Sequence, residues 1–413
     1  MLRFKAFAMA ATLAATPAFA QQKAPEPAAT GPDIVVIGMS LKDAKAALAA
    51  CIAQHCPPDK DVDATLAVAE TQFVAGDYKN ARATMLKSIG RNKRFANAYP
   101  VPVSDLLRAN SRVSAHLGEQ DAYFGGALDV ISALKSGLPA DDWRVLGAQV
   151  ELGDAYAKTG RLAAGVELYR KVARRARELK QPRVEGYALL RVAMVYAAAS
   201  DRRDDMNFTA AIAASNALIA NSDPALAPFV RSAKLLKLKL AVRSGDAGAI
   251  DRLVAEYQVG TVSTPVLLYA PKIQLPERAI RPDQGGETLN RILLDDVDNQ
   301  WVDISFEVLP DGKVGEPEVL RKSEKLSGDW VKPILTALGG RRYAPLAANS
   351  DSAFRVERYT FTAPWTTVTG TRMRVRSPVP TIEAIDLSRD PAVMPVATPA
   401  TTPGTTPAPT AAS

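Results

Sequence analysis

Leu152-Gly153-Asp154-Ala155-Tyr156-Ala157-Lys158-Thr159-Gly160 decides how most of this 413-residue chain is read. It belongs to a run, from Ser40 to about Gly260, in which apolar residues recur at three- and four-residue spacing. Ala, Leu, Arg and Glu dominate the run, which is the period and composition of amphipathic helices. Ser40 fits an N-cap, with Asp43 three residues on. Breaks fall at Pro57-Pro58, Pro100-Val101-Pro102, Gly137-Leu138-Pro139, Pro182 and Asp223-Pro224. Regular helices separated by short breaks predict a helical solenoid over residues 40–260.

Two windows sharpen the expectation. In the first, Leu152, Gly153, Tyr156 and Gly160 are followed by Tyr169 and Pro182. In the second, residues 69–81, Gly76, Tyr78 and Ala81 fit a turn and the start of a second helix. Together they resemble the tetratricopeptide repeat, in which small residues let paired helices approach and larger ones fill the gaps. The sequence departs from that pattern with Gly165 where Ala is usual and Leu162 where an aromatic is usual. A generic Ala-rich helical array is the alternative, with the same class of function.

After Gly260 the pattern turns to β. Val302, Ile304, Phe306 and Val308 alternate with Trp301, Asp303, Ser305 and Glu307, which predicts a half-buried strand. Asp311-Gly312 supplies a hairpin turn, and Lys313 to Arg321 the return strand. Asp329 to Leu338 follows as a helix with Trp330, Ile334 and Leu338 on one face. Then come Tyr343-Ala344-Pro345 and a last strand through Phe354, Val356, Arg358, Tyr359 and Phe361. This order, with Asp311, Gly312, Tyr343 and Pro345, resembles the TonB C-terminal domain over residues 261–376. The fold class expected is therefore multidomain α+β: a tetratricopeptide-like α-solenoid, then a small TonB-like domain.

The resemblance implies a module that takes extended peptides onto its sheet edge, where unpaired N–H and C=O groups await a strand. Phe354 to Phe361 is the candidate edge; the alternative is a structural strand capped by the molecule's own segments. Asp33-Ile34-Val35-Val36 resembles the TonB box of outer-membrane transporters and suits strand addition. Proline at positions 34 and 36 with unchanged partner capture would remove that idea. A short strand that ties down the N-terminus is the alternative.

The N-terminus has Arg3 and Lys5, an apolar stretch from Phe7 to Ala15, and Ala18-Phe19-Ala20. This predicts a cleaved signal peptide over residues 1–20 and a periplasmic protein with no membrane span after cleavage. A retained N-terminal anchor is the alternative. Residues 21–39 read as a linker, and residues 377–413 as a disordered Thr/Pro/Ala tail. The net charge of +7 is spread along the chain, which argues for solubility and against nucleic-acid binding in an exported protein. Two basic stretches, Arg170 to Lys180 and Arg231 to Arg243, read as solvated helix faces. Cys51 and Cys56 are the two cysteines, and a local disulfide is expected in an oxidising compartment. Metal ligation by Cys51, His55 and Cys56 is the alternative.

The chain has two histidines, and G-x-S-x-G, H-E-x-x-H and P-loop patterns are absent. His116, in a helical pattern beside Leu117, reads as packed or surface and not as catalytic. The expectation is a non-enzyme without cofactor or metal, whose partners are envelope proteins or peptides such as TonB-dependent transporters. A membrane-anchored TonB-type energy transducer is the competing reading.

Overall fold

Prolines that interrupt the helical pattern stand at helix beginnings. Pro58, Pro100 and Pro182 each occupy a first turn, where the missing N–H has no intrahelical acceptor to lose. Asp77, Asp142 and Asp205 cap other starts by accepting backbone N–H bonds, and Ser40 accepts from Asp43 N at 3.1 Å. The computed structural model describes residues 39–200, 205–246, 248–257, 265–274, 299–324, 326, 329–346, 353–367, 373–377 and 380–388. Asp33 to Val36 and the expected signal peptide lie outside the described residues.

Among the described residues before the sheet region, eleven α-helices run in order: α1 (Leu41–Ala53), α2 (Pro58–Val74), α3 (Tyr78–Asn92), α4 (Pro100–His116), α5 (Gln120–Gly137) and α6 (Trp143–Lys158) come first. Then follow α7 (Leu162–Glu178), α8 (Pro182–Ala199), α9 (Met206–Ile219), α10 (Ala227–Arg243) and α11 (Ala249–Tyr257). Each packs mainly on its sequence neighbours. Where α6 meets α7, a Cβ on Gly165 would come 2.7 Å from Gly153 O. Alanine does not fit at that distance, which accounts for glycine at position 165. No helix among the described residues is long and apolar enough to cross a membrane.

The β region contains β1 (Leu267–Tyr269), β2 (Gln300–Val308), β3 (Glu318–Lys322), helix α12 (Val331–Gly339) and β4 (Arg342–Tyr343). It continues with β5 (Ala353–Thr362), β6 (Trp365–Thr367), β7 (Arg374–Arg376) and β8 (Thr381–Asp386). The principal sheet is antiparallel with order β3-β2-β5-β8; β1 pairs with β4, and β6 with β7. The protein is thus mostly helical with a small antiparallel sheet region, an α+β layout.

Two expectations need correction here. The strand expected as an edge is not one over Val356, Arg358, Tyr359 and Phe361, and only Phe354 lies past the end of its neighbour. It lies between β2 and β8, with Tyr359 opposite Val302 on one side and Ala384 on the other. Leu387 N also donates to Val356 O. The second correction explains the first. Residues 381–386, expected in a disordered tail, form β8, where Ile382 packs on the sheet core.

On one face of β2, Val302, Ile304, Phe306 and Val308 are fully buried beneath Trp330, Ile334 and Leu338. The opposite face was expected to be solvated. Instead Trp301, Asp303 and Ser305 are buried too. Trp301 joins the cluster of Phe73, Tyr78, Met85 and Leu106 from α2, α3 and α4. A second shared cluster joins Leu235 and Leu253 of α10 and α11 to Leu268 and Ala344. Helices and sheet therefore share their cores.

Candidate functional site

Helix C-termini carry unsatisfied carbonyls and partial negative charge. The ends of α2 and α4 both point these groups at the sheet. Arg358, on β5 and fully buried, donates from Nη1 to Phe73 O and from Nη2 to Val74 O at 2.7 Å. Its Nε meets Asp303 at 2.6 Å, and its guanidinium lies 4.0 Å from the Trp301 ring centroid. Arg321 adds a second cation on Asp303 at 2.6 Å. At α4, Arg376 donates to Leu117 O at 3.0 Å and to Ala363 O at 2.6 Å. Trp365 N donates to Gly118 O at 2.9 Å. At the end of α6, Lys158 pairs with Glu383 of β8 at 2.6 Å.

The turn after α2 is built for this docking. Gly76 has a φ of +81°, and a Cβ there would fall 2.2 Å from the Trp301 indole nitrogen. Only glycine satisfies both the left-handed backbone and the indole. Beside it Tyr78 Oη lies 2.8 Å from Thr360 Oγ1, which lies 3.0 Å from His116 Nδ1. One consistent assignment has Tyr78 donate to Thr360 and Thr360 donate to Nδ1, which requires a neutral imidazole. Burial, with the charges of Lys158 and Arg358 adding to it, pushes the His116 imidazole down to about 3. Burial also pushes the Tyr78 phenol up.

Above this buried junction opens a cleft of about 660 Å³ between the helices and the sheet. Lys79, Arg82 and Leu86 line it from α3, Trp301 and Lys322 from the sheet, and Trp365 and Arg376 from the β6–β7 hairpin. Arg82 is held by Glu119 at 3.2 Å, and Arg376 lies 4.2 Å from the Trp365 ring centroid. The cleft is amphipathic: indole surface with Lys79, Arg82, Lys322 and Arg376 around it, and Asp77, Glu119 and Glu324 among them. Among the described residues no group of three His, Cys, Asp or Glu side chains is placed to hold a metal.

The residues Asp311, Gly312, Tyr343 and Pro345 are brought together. Tyr343 N donates to Gly312 O at 2.7 Å, and Leu346 N, just past Pro345, donates to Pro310 O at 3.0 Å. Gly312 has a φ of +79°, and a Cβ there would meet Tyr343 O at 2.2 Å. The Lys313 ammonium and backbone N–H hold the Asp311 carboxyl below the usual range. Arg341 then ties this corner to the sheet through Glu357 at 2.6 Å and Tyr359 Oη at 2.9 Å. Cys51 and Cys56 stand at disulfide distance where α1 ends, with Cα atoms 5.1 Å apart.

Sequence reasoning missed Trp301, Trp365, Arg376 and Thr360 as site residues. One signal was present: three of the four tryptophans, at 301, 330 and 365, fall in the sheet region of a chain poor in aromatics. No protein-family description matches this chain, and no curated protein matches it.

Proposed function

We propose that this chain is a periplasmic protein–protein interaction protein: a tetratricopeptide-like helical scaffold carrying a TonB-like peptide-binding module, auxiliary to TonB-dependent transport or envelope assembly. One observation carries the reading. Among the described residues strand β3 is an edge of the principal sheet, and all five of its residues are exposed, with Val319 at 40% and Leu320 at 45%. Its inner side bonds to β2, so its outer N–H and C=O groups are available to an added strand. The pairing skips Leu320 between Arg321 and Val319, a bulge that leaves this apolar side chain outward. Lys322 ends β3 and lines the cleft, so a strand added there has cationic and indole surface at hand.

A photo-crosslinking residue at position 320, in the full chain made in a Gram-negative periplasm, tests the reading. The expected result is crosslinks to a polypeptide, reduced by proline-free extended competitor peptides and absent from a probe at buried position 304. A probe at 320 that labels only lipid or water overturns it. Intact mass of the recovered protein tests the compartment: loss of residues 1–20 is expected.

A further inference from the structure

A second surface lies on the outer side of the helical array. Helix α5 presents Leu128, Ile131, Ser132, Lys135 and Ser136 at i, i+3, i+4, i+7 and i+8, one continuous stripe. Across from it α7 presents Leu168 and Lys171, and Gln149 and Leu152 of α6 lie between them. The result is an open groove of about 690 Å³. The serines are too short to fill it, and Leu128 remains 46% exposed. Its two charged lining residues, Lys135 and Lys171, are both cations, both exposed, and neither forms an ion pair with another described residue. Farther round α7, exposed Arg170 and Arg174 add positive charge that outnumbers exposed Glu167, one turn before Lys171.

We infer that this groove seats an acidic amphipathic helix from a protein partner. Apolar floor and cationic rim ask for the inverse pattern: an apolar stripe flanked by carboxylates. A helix packs into the channel between two neighbours at about 8–10 Å separation, the arrangement α5 and α7 offer over α6. An anionic bilayer is a poorer fit. Its flat surface meets the projecting lysines first and leaves the recessed Ile131 and Leu168 uncovered. The inference rests on the scaffold reading above but concerns a surface remote in sequence from β3.

The test uses the full chain and two labelled synthetic peptides of about 20 residues, ~30 Å as a helix. Both carry leucines at i, i+3, i+4 and i+7; one has glutamates elsewhere, the other lysines. Fluorescence anisotropy is expected to show saturable binding of the glutamate peptide, weakened by salt, and none of the lysine peptide. Lys135→Glu with Lys171→Glu is expected to weaken it about tenfold or more. Ser132→Phe, which fills the groove without changing charge, is expected to weaken it as well. Equal binding of both peptides, indifference to all three substitutions, or binding only to vesicles containing phosphatidylglycerol overturns the inference. So does self-association in sedimentation that the charge reversals abolish, since the groove then serves a second copy. Failure here with crosslinks intact at position 320 removes this surface alone and leaves the β3 reading standing.

Discussion

On one side of β2, Val302, Ile304, Phe306 and Val308 meet the apolar face of α12. On the other, Trp301, Asp303 and Ser305 meet the ends of α2 and α4. Both sides exclude water, but by different physics. The first side is held by contact area, which is non-directional and tolerates small shifts. The second is held by Arg358, whose donors must meet Asp303 and two helix carbonyls at once. A buried charge of this kind is stabilising only while every partner is present. The apolar face makes the sheet fold; the polar face fixes where the helices sit on it.

Substitutions can break this comparison in order of size. Arg358→Ala leaves Asp303 with Arg321 as its cation and takes a charged donor from the carbonyls of Phe73 and Val74, and is expected to cost about 3–5 kcal/mol in urea unfolding. Near-UV circular dichroism should also report a loosened Trp301. Ile304→Ala, on the opposite face, is expected to cost about 2–5 kcal/mol with Trp301 unperturbed. A Trp301 signal lost equally in both variants would show that the faces are not distinct. Thr360→Val cuts the bridge between Tyr78 and His116 and is expected to cost roughly 1–3 kcal/mol, because two buried polar groups lose a partner.

Acid sharpens the comparison further. The folded His116 imidazole sits at about 3, below the unfolded value of 6.5, so the unfolded chain binds the extra proton first. Its contribution to stability is complete above 6.5 and is lost as pH falls from there toward 3. Unfolding midpoints measured across that window should fall less steeply in His116→Gln than in the parent. Equal slopes would mean that the imidazole protonates without disturbing the junction. At the bottom of the scale, Leu320→Ser on exposed β3 should change stability by no more than about 0.5 kcal/mol. Its expected effect is on polypeptide capture.

Periodicity made the helices legible because their buried stripes repeat along the chain, and the prolines marked their starts. The β2 alternation likewise revealed which face is apolar. It gave no sign that the polar face is also covered, since Asp303 and Ser305 in a strand look the same whether they face water or helix ends. β5 was read as an edge because it came last in the strand–turn–strand–helix–strand order, and its Arg355, Glu357 and Arg358 do not tell a solvated strand from a covered one. Yet Arg358 is neutralised by Asp303, 55 residues earlier in the chain. Long-range pairing of charges leaves no local trace. The strand β8 escaped because Thr381 to Asp386 is short and bounded by prolines and polar residues. In the cleft, only the tryptophan spacing was available to be read.

The reach from Arg358 back to Phe73 and Val74 has a consequence for how the molecule is made. A chain emerging from its N-terminus completes α2 long before β5 exists, so through most of synthesis those carbonyls lack the guanidinium, and Phe73 O has only the Gly76 N–H of its own turn, at 2.8 Å. Loss of the last few dozen residues would take β8 with it and turn β5 into a raw border.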